Sequence, residues 1–430
     1  MAVRSAVVLF TRDLRVHDNP ALAAAAREAE YLVPLFVLDE GLLAVSERRS
    51  AYLEAALAAL DRSLQERGSG LLVRRGDAVA EVVRVVREAG ADGVLLAADV
   101  SAFATRREQA LRAELHVRTF PGVTVVPPGE LVPGTAQTGA SCYRVFTPYY
   151  RAWLAAPWRA LEEPPPRLPL PPFALEPAAP PSAAPGGEPA ARERLAAWLG
   201  SGDGAYEAAR DDLAADATSR LSEALHLGLL SPLEVAVRSR SDELVRQLAW
   251  RDFYAQLLAA YPWSAARDLH PRGREWLDDP EGLAAWKSGL TGYPVVDAGM
   301  RELAATGFMH NRARLIVASF LTKDLSIDWR EGAAHFSRFL VDGDVASNTG
   351  NWQWVAGTGA DTRPGRMFNP TLQGRRYDPS GDYVRRWVPE LAAIPGGDVH
   401  EPWKVGPLLT GGYPTPIVDH AAAAAAYRRG

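Results

Sequence analysis

Asp342-Gly343-Asp344-Val345-Ala346-Ser347-Asn348-Thr349-Gly350-Asn351-Trp352-Gln353-Trp354 is the stretch from which the C-terminal half of the chain is read. Two carboxylates flank a glycine, small and amide residues follow, and two tryptophans come two apart. A buried carboxylate needs a cation or hydrogen-bond donors, and a buried indole needs a partner for its N–H. Two readings follow. The stretch is a surface turn ahead of a helix, with Asp344 or Ser347 as N-cap, or it lines a polar pocket. Its upstream neighbour bears on the choice. Over 309–325, Leu315, Ile316, Ala318, Ser319 and Phe320 run around most of a helical circumference, which marks a central helix. Asn311 and Arg314 are three apart and share a face of it. An arginine on a central helix needs an anion, and Asp342 or Asp344 would serve. The pair is then either a structural ion pair or, with Asn311, the wall of a cofactor pocket.

Around this core the pattern is helical throughout. Three- and four-residue apolar spacing predicts helices over 190–200, 203–214, 232–238, 241–260, 280–288, 296–306, 309–325 and 331–341, and no convincing strand intervenes. The N-terminal part reads differently. Strands at 3–10, 31–38, 71–74, 93–97 and 123–126 alternate with helices at 20–29, 47–67, 77–89 and 101–115. That alternation means βαβ units and a parallel sheet. The expected fold class is therefore a doubly wound α/β domain over 1–130 and an all-α domain over 193–430. A connector over 131–192 joins them, with eleven prolines between Pro164 and Pro189, a composition that makes extended, semi-rigid chain.

At 430 residues, two domains are the natural expectation. No apolar run approaches a membrane span of about 18 residues, and Met1 to Phe10 leads into Arg12-Asp13 as a first strand rather than a signal peptide. The single cysteine, Cys142, forms no internal disulfide or thiolate cluster, so no metal site is expected and a cytoplasmic location fits. The net charge of -5 argues against blanket attraction to nucleic acid but leaves room for a local basic groove. Nine of the twelve tryptophans lie between Trp250 and Trp403.

The first strand is followed by Thr11-Arg12-Asp13-Leu14-Arg15, not by Gly-x-Gly-x-x-Gly, so an ordinary NAD-dependent enzyme is disfavoured. A small ligand at the strand ends near Asp39 and Asp99 competes with the simpler reading of both as helix caps. Thr218, Ser219, Arg220, Leu221 and Ser222 put hydroxyls and a guanidinium at an expected helix start, a setting that suits phosphate oxygens. Trp276, Trp329 and Trp352 are expected on different helices. With Trp250 and Trp354 they serve core packing, base stacking or electron transfer.

Several segments in order resemble the photolyase/cryptochrome family, and within it the DNA photolyases that repair cyclobutane pyrimidine dimers. They include 10–20, Thr218–Ser222, Trp250-Arg251-Asp252-Phe253-Tyr254, Thr291-Gly292-Tyr293-Pro294, Met309-His310-Asn311-Arg312, Asp328-Trp329-Arg330, 342–354 and Phe368-Asn369-Pro370. The resemblance implies an FAD in the helical domain, contacted by Tyr206, Thr218, Ser219, Arg220, Leu221, Ser222, Asn311, Arg314, Asp342, Asp344 and Asn348. Asn348 matches the residue that faces the reactive flavin nitrogen. Trp352, Trp329 and Trp276 match a tryptophan relay from flavin to surface. Gln247, Trp250, Tyr254, Asn311 and Trp354 match lesion-pocket positions, and Arg210, Arg312, Arg366 and Gln373 match DNA contacts. The implied chemistry is light-driven electron transfer to a flipped-out lesion.

Two residues depart from the dimer-repair pattern. Gln247 stands where many dimer photolyases carry Glu, and is commoner in the (6-4)-photolyase and animal cryptochrome branch. Leu315 stands where Met is frequent. The (6-4) branch carries a His pair near 309–311, of which only His310 is present. A cryptochrome photoreceptor without repair and a (6-4) photolyase are the alternatives. Phe36, Asp39, Arg49 and Asp99 fit an 8-hydroxy-5-deazaflavin antenna better than a folate one. The implied partner is damaged DNA, with no membrane association and a monomeric protein.

Overall fold

The computed structural model describes residues 3–39, 41, 46–134, 142–171, 186–215, 217–360 and 365–429. Within the expected connector, 135–141 and 172–185 lie outside them. The chain divides into two compact units: Met1–Gly204 with Ser219–Pro262, and Ala205–Thr218 with Trp263–Gly430.

The first unit holds a five-stranded, wholly parallel sheet of order β3-β2-β1-β4-β5. Its strands are β1 (Val3–Leu9), β2 (Ala29–Leu38), β3 (Leu72–Arg75), β4 (Val94–Ala97) and β5 (Val117–Phe120). The central strands are apolar on both faces, as helix-covered parallel strands must be. Pro34 of β2, which cannot donate, sits one residue before pairing with β3 begins at Leu35↔Leu72. Asn19, Ser46, Asp77 and Ser101 each cap the helix that follows, their side chains accepting an N–H of its first turn.

The strand expected at 123–126 is not formed; β5 lies earlier. Val125 and Val126 are buried, but their N–H groups donate to Oδ2 of Asp252 at 2.8 and 3.0 Å. Trp153 Nε1 donates to the same oxygen at 2.9 Å. A carboxylate far along the chain thus satisfies a backbone that local pattern reads as sheet. Burial pushes the Asp252 carboxyl up to about 6 despite these donors. This tie draws the helix Asp242–Ala260 into the sheet-bearing unit, so the unit boundaries differ from a division at 130 and 193.

The second unit is helical. Helices Pro294–Thr306, Asn311–Ser319, Trp329–Phe339 and Val345–Ala356 contribute to one apolar core that contains Trp286, Trp329 and Trp352. The helix expected over 309–325 changes character at Phe320: Phe320–Asp324 is a π-helical turn in which Leu325 N bonds to Phe320 O at 3.0 Å. The helix expected over 203–214 is only a 3-10 turn, Asp203–Ala205, and one α-turn, Tyr206–Ala209. Asp203 is drawn to Ser239 Oγ and Arg240 N, while Asp212 accepts from Ala214 N and Ala215 N in a local turn. Such side-chain bonds compete with helix. Trp276, expected on a helix, lies in the extended segment before helix Pro280–Ser288. Among the described residues, no helix is long and apolar enough to cross a membrane.

Candidate functional site

The helix Val345–Ala356 begins at Asp344, whose carboxylate accepts from Ser347 N at 2.7 Å. The capping reading of Asp344 is therefore realised. Asp342 does something else. Its Oδ2 accepts from Arg314 Nη2 at 2.9 Å, and Arg314 Nε donates to Met309 O at 2.8 Å. Arg314 stands one turn into helix Asn311–Ser319, which opens on His310: the imidazole Nδ1 accepts from Arg312 N at 3.1 Å. The neutral imidazole holds that turn.

Arg314, Asp342 and Asp344 line a small cavity of about 70 Å³ together with Asn311, Ser347, Asn348, Asn351 and Trp352. Both donors of the Asn348 amide are engaged, by Ala333 O at 2.9 Å and by Ser337 Oγ at 2.9 Å. A backbone carbonyl can only accept, so the amide orientation is fixed and Oδ1 is its remaining acceptor. Trp352 Nε1 is buried with no hydrogen-bond partner among the described residues. The wall thus combines a paired guanidinium, an oriented amide oxygen and an unused indole N–H with the apolar Ala318, Phe336 and Val355. An apolar wall with a few placed polar groups is the make-up of a small-molecule site.

Leu315 lines this cavity and also a second, open cleft of about 430 Å³. The cleft is walled by Arg312, Trp354, Arg366, Phe368, Gln373, Arg376 and Tyr377, and among the described residues no carboxylate lines it. Arg312 pairs with Asp211 at 2.8 Å and lies 4.3 Å over the Tyr377 ring. Cations interleaved with aromatic faces suit a nucleic-acid base and its phosphates. Sequence reasoning placed Arg312, Trp354, Arg366 and Gln373 here but missed Phe368, Arg376 and Tyr377. The signal was present in Gln373-Gly374-Arg375-Arg376-Tyr377, on a helix capped by Asn369. Only the fold shows that Arg376 faces the cleft while Arg375 pairs with Glu401.

The three singled-out tryptophans differ in exposure. Trp329 is 0% and Trp352 2% exposed, both inside the core, while Trp276 is half-buried against it. Trp329 and Gly332 share a face of helix Trp329–Phe339, and a Cβ at Gly332 would fall inside the Trp352 ring. The glycine lets the ring seat there. Trp286, which the sequence reading passed over, lies edge-on to Trp352 with ring centroids 6.0 Å apart. Tyr206 and Arg210, on the short 206–209 turn and its C-cap, and Thr218 also belong to this unit.

The remaining candidates lie in the first unit. Gln247 Nε2 donates to Glu243 Oε1 at 2.7 Å along their helix. Trp250 stacks on Phe146 with centroids 3.6 Å apart and planes at 6°, and Tyr254 is buried beside it. Ser219, Arg220 and Leu221 precede the helix Ser222–Leu227, whose N-cap position is Leu221 without a side-chain cap bond. The hydroxyls there are not capping the helix, and Arg220 holds a left-handed φ of 52°. Phe36 is buried in β2, and Asp39 accepts from Gly41 N at 2.8 Å. Arg49 lies in the first turn of helix Glu47–Gln65, its N–H bonded to Ser46 Oγ. Asp99 pairs with Arg12 at 3.4 Å and accepts from Val100 N. Residues 40 and 42–45, beside this group in sequence, are outside the described residues.

Two family models match the chain: "DNA photolyase" over residues 6–170 and "FAD binding domain of DNA photolyase" over residues 244–429. A deoxyribodipyrimidine photo-lyase of Streptomyces griseus is 49% identical over 451 residues, covering 99% of this chain and 98% of the relative. Among solved structures, a class III photolyase from Agrobacterium tumefaciens superposes with a TM-score of 0.90 at 34% identity, covering 100% of this chain and 99% of that one. A cryptochrome from Synechocystis superposes with a TM-score of 0.91 at 32% identity, with the same coverage.

Proposed function

The chain belongs to the photolyase/cryptochrome family, and from that premise we propose that it repairs cyclobutane pyrimidine dimers in DNA, driven by light and a bound FAD. The observation that carries the reading is the placement of Leu315. This one side chain lines both a cavity with polar groups in its wall and an arginine- and aromatic-walled cleft. An electron donor in the first would stand next to an extruded base in the second.

The residues present fit an FAD in the helical unit. Arg314, held by Asp342, supplies a fixed cation, and Asn311, Asp344 and Asn348 supply polar contacts. Asn348 presents an amide oxygen where a carboxylate would oppose added negative charge on the ring. When bound, reduced FAD supplies the excited-state electron that opens the dimer. The protein's part is to exclude water, hold the ring and hold the lesion. Tyr206, Thr218, Ser219, Arg220, Leu221 and Ser222 are further proposed FAD contacts. Trp354 offers an indole face for stacking, Arg312 and Arg366 meet phosphate, and Gln373 lines the same cleft. Arg210, Gln247, Trp250 and Tyr254 are proposed DNA and lesion contacts. Trp352, Trp329 and Trp276 form the proposed relay that reduces the flavin.

We also propose 8-hydroxy-5-deazaflavin as an antenna near Phe36, Asp39, Arg49 and Asp99, in an antenna-binding region over 1–130. The FAD- and DNA-binding region is proposed over 193–430. A monomeric, cytoplasmic protein completes the reading. The second reading is a photoreceptor without repair, favoured by the likeness to the Synechocystis cryptochrome. Binding in the dark separates the two. The flavin-loaded protein should bind a dimer-containing oligonucleotide more tightly than its undamaged twin, by a factor of at least about 10³. Equal affinity for both rejects the repair reading.

A further inference from the structure

The indole N–H groups of the two buried relay tryptophans sit in opposite surroundings. Among the described residues Trp352 Nε1 has no partner, and its ring packs against Trp286, Phe336 and Gly332. Trp329 Nε1 donates to Asp268 Oδ1 at 2.8 Å. The loop that carries Asp268 is held in place from the same helix as Trp352. Gln353, 3% exposed, donates through Nε2 to Ser264 O at 2.6 Å and Arg267 O at 3.2 Å, and its Oε1 accepts from Leu269 N at 2.8 Å. His270 N bonds to Thr358 O at 2.7 Å, and Arg330 Nε to Ala266 O at 2.7 Å. The carboxylate is thus fixed before any charge develops.

Among the described residues, one carboxylate and one guanidinium contact Trp329, and a second carboxylate pairs with that guanidinium. Arg330 lies 4.8 Å over the ring and bonds Asp268 at 2.9 Å, while Asp328 takes the other arm of Arg330 at 2.9 Å. The guanidinium opposes positive charge on the indole; the two carboxylates favour it, and Asp268 alone touches the nitrogen that becomes acidic when the ring loses an electron. Among the described residues Trp352 has no such partner for its nitrogen.

We propose that Asp268 is the proton acceptor of Trp329 and makes it the more easily oxidised of the pair, which gives the relay its outward direction. The inference rests on the reading of these tryptophans as an electron relay to a flavin. With an oxidised flavin bound, Trp352 would supply the electron that the light-excited ring takes up. One electron then passes from the Trp329 indole to fill the vacancy on Trp352. As it leaves, the Nε1 proton of Trp329 moves along its hydrogen bond to Asp268 Oδ1. When Trp276 returns an electron to Trp329, the proton goes back. No other bond is made or broken.

The test uses the flavin-loaded protein and four variants: D268N, D268E, Trp329→Phe and Trp276→Phe. Asparagine keeps an oxygen that accepts from the indole but holds neither the charge nor the proton. Photoreduction of the oxidised flavin by an external thiol should fall about tenfold or more in D268N. It should be largely kept in D268E and lost in Trp329→Phe. Trp276→Phe should slow photoreduction. In the dark, the ¹⁵N-indole N–H signal of Trp329, assigned with Trp329→Phe, should move upfield in D268N. Wild-type photoreduction in D268N, with Trp329→Phe inactive, overturns the role of Asp268 alone. Wild-type photoreduction in Trp329→Phe overturns the relay itself. If D268N loses its flavin, D268E decides: photoreduction kept supports the role, and lost with flavin retained overturns it.

Discussion

Arg314 Nη2 lies 2.9 Å from Asp342 Oδ2, with the Asp342 side chain 4% exposed and that of Arg314 23%. The pair joins the helix Asn311–Ser319 to the loop that starts helix Val345–Ala356, so two of the elements that line the small cavity are tied together by a charge-assisted bond.

Breaking one partner of a mostly buried pair leaves an uncompensated charge. Asp342→Asn should destabilise the protein by about 3–5 kcal/mol and reduce the flavin retained on purification. Urea unfolding, followed with flavin content, measures both. Wild-type stability and wild-type flavin content together would show the pair to be ornamental.

Asn348 directs its NH2 at Ala333 O and Ser337 Oγ. Asn348→Asp would set a carboxylate against that carbonyl and against an electron-rich ring. The expected outcome is protein that binds oxidised FAD and fails to accumulate the fully reduced anionic form, read from absorption after dithionite titration. A variant that reduces as readily as wild type contradicts the role given to the amide.

The cleft residues separate into stacking and charge. Trp354→Ala should weaken binding of a dimer-containing oligonucleotide by roughly 1–3 kcal/mol, the value of a base–aromatic stack. Arg366→Ala should instead lower the slope of log affinity against log salt by about 0.7–0.9, one phosphate's share. Binding isotherms at several salt concentrations distinguish the two effects.

Burial pulls the His335 imidazole down from 6.5 to about 4, with Lys287 and Arg338 adding to it. Its ring packs on Trp286 and Phe339. Between about pH 4 and 6.5 the unfolded chain binds a proton that the native state does not, so stability falls as pH falls through that window. Melting temperature should drop more steeply from pH 6.5 to 4 in wild type than in His335→Gln. Parallel curves would remove His335 from the acid sensitivity.

The Arg314–Asp342 bond is partly legible in the sequence, because a helix apolar nearly all round leaves its arginine needing an anion, and Asp342-Gly343-Asp344 offers two. The spacing does not choose between Asp342 and Asp344; the short turn does, turning Asp344 back to cap Ser347 N. The parallel sheet is legible from four- to eight-residue apolar runs between helical patterns. What stays hidden is supplied by distant chain. Asp252 satisfies Val125 and Val126, and Gln353 ties down the loop that carries Asp268. Neither bond leaves a local pattern. Trp286 and Tyr377 read as ordinary core residues until the helices that carry them are packed.

The central claim is that a flavin beside Leu315 passes an electron to a dimer held in the arginine-lined cleft. Its most direct test is the absorbance near 260 nm of a thymine-dimer oligonucleotide mixed with dithionite-reduced, FAD-loaded protein under blue light. Recovery of thymine absorbance in the light, none in the dark, and none on a (6-4) substrate is the predicted result. No recovery under strong illumination, from protein shown by its spectrum to hold reduced FAD, would contradict it.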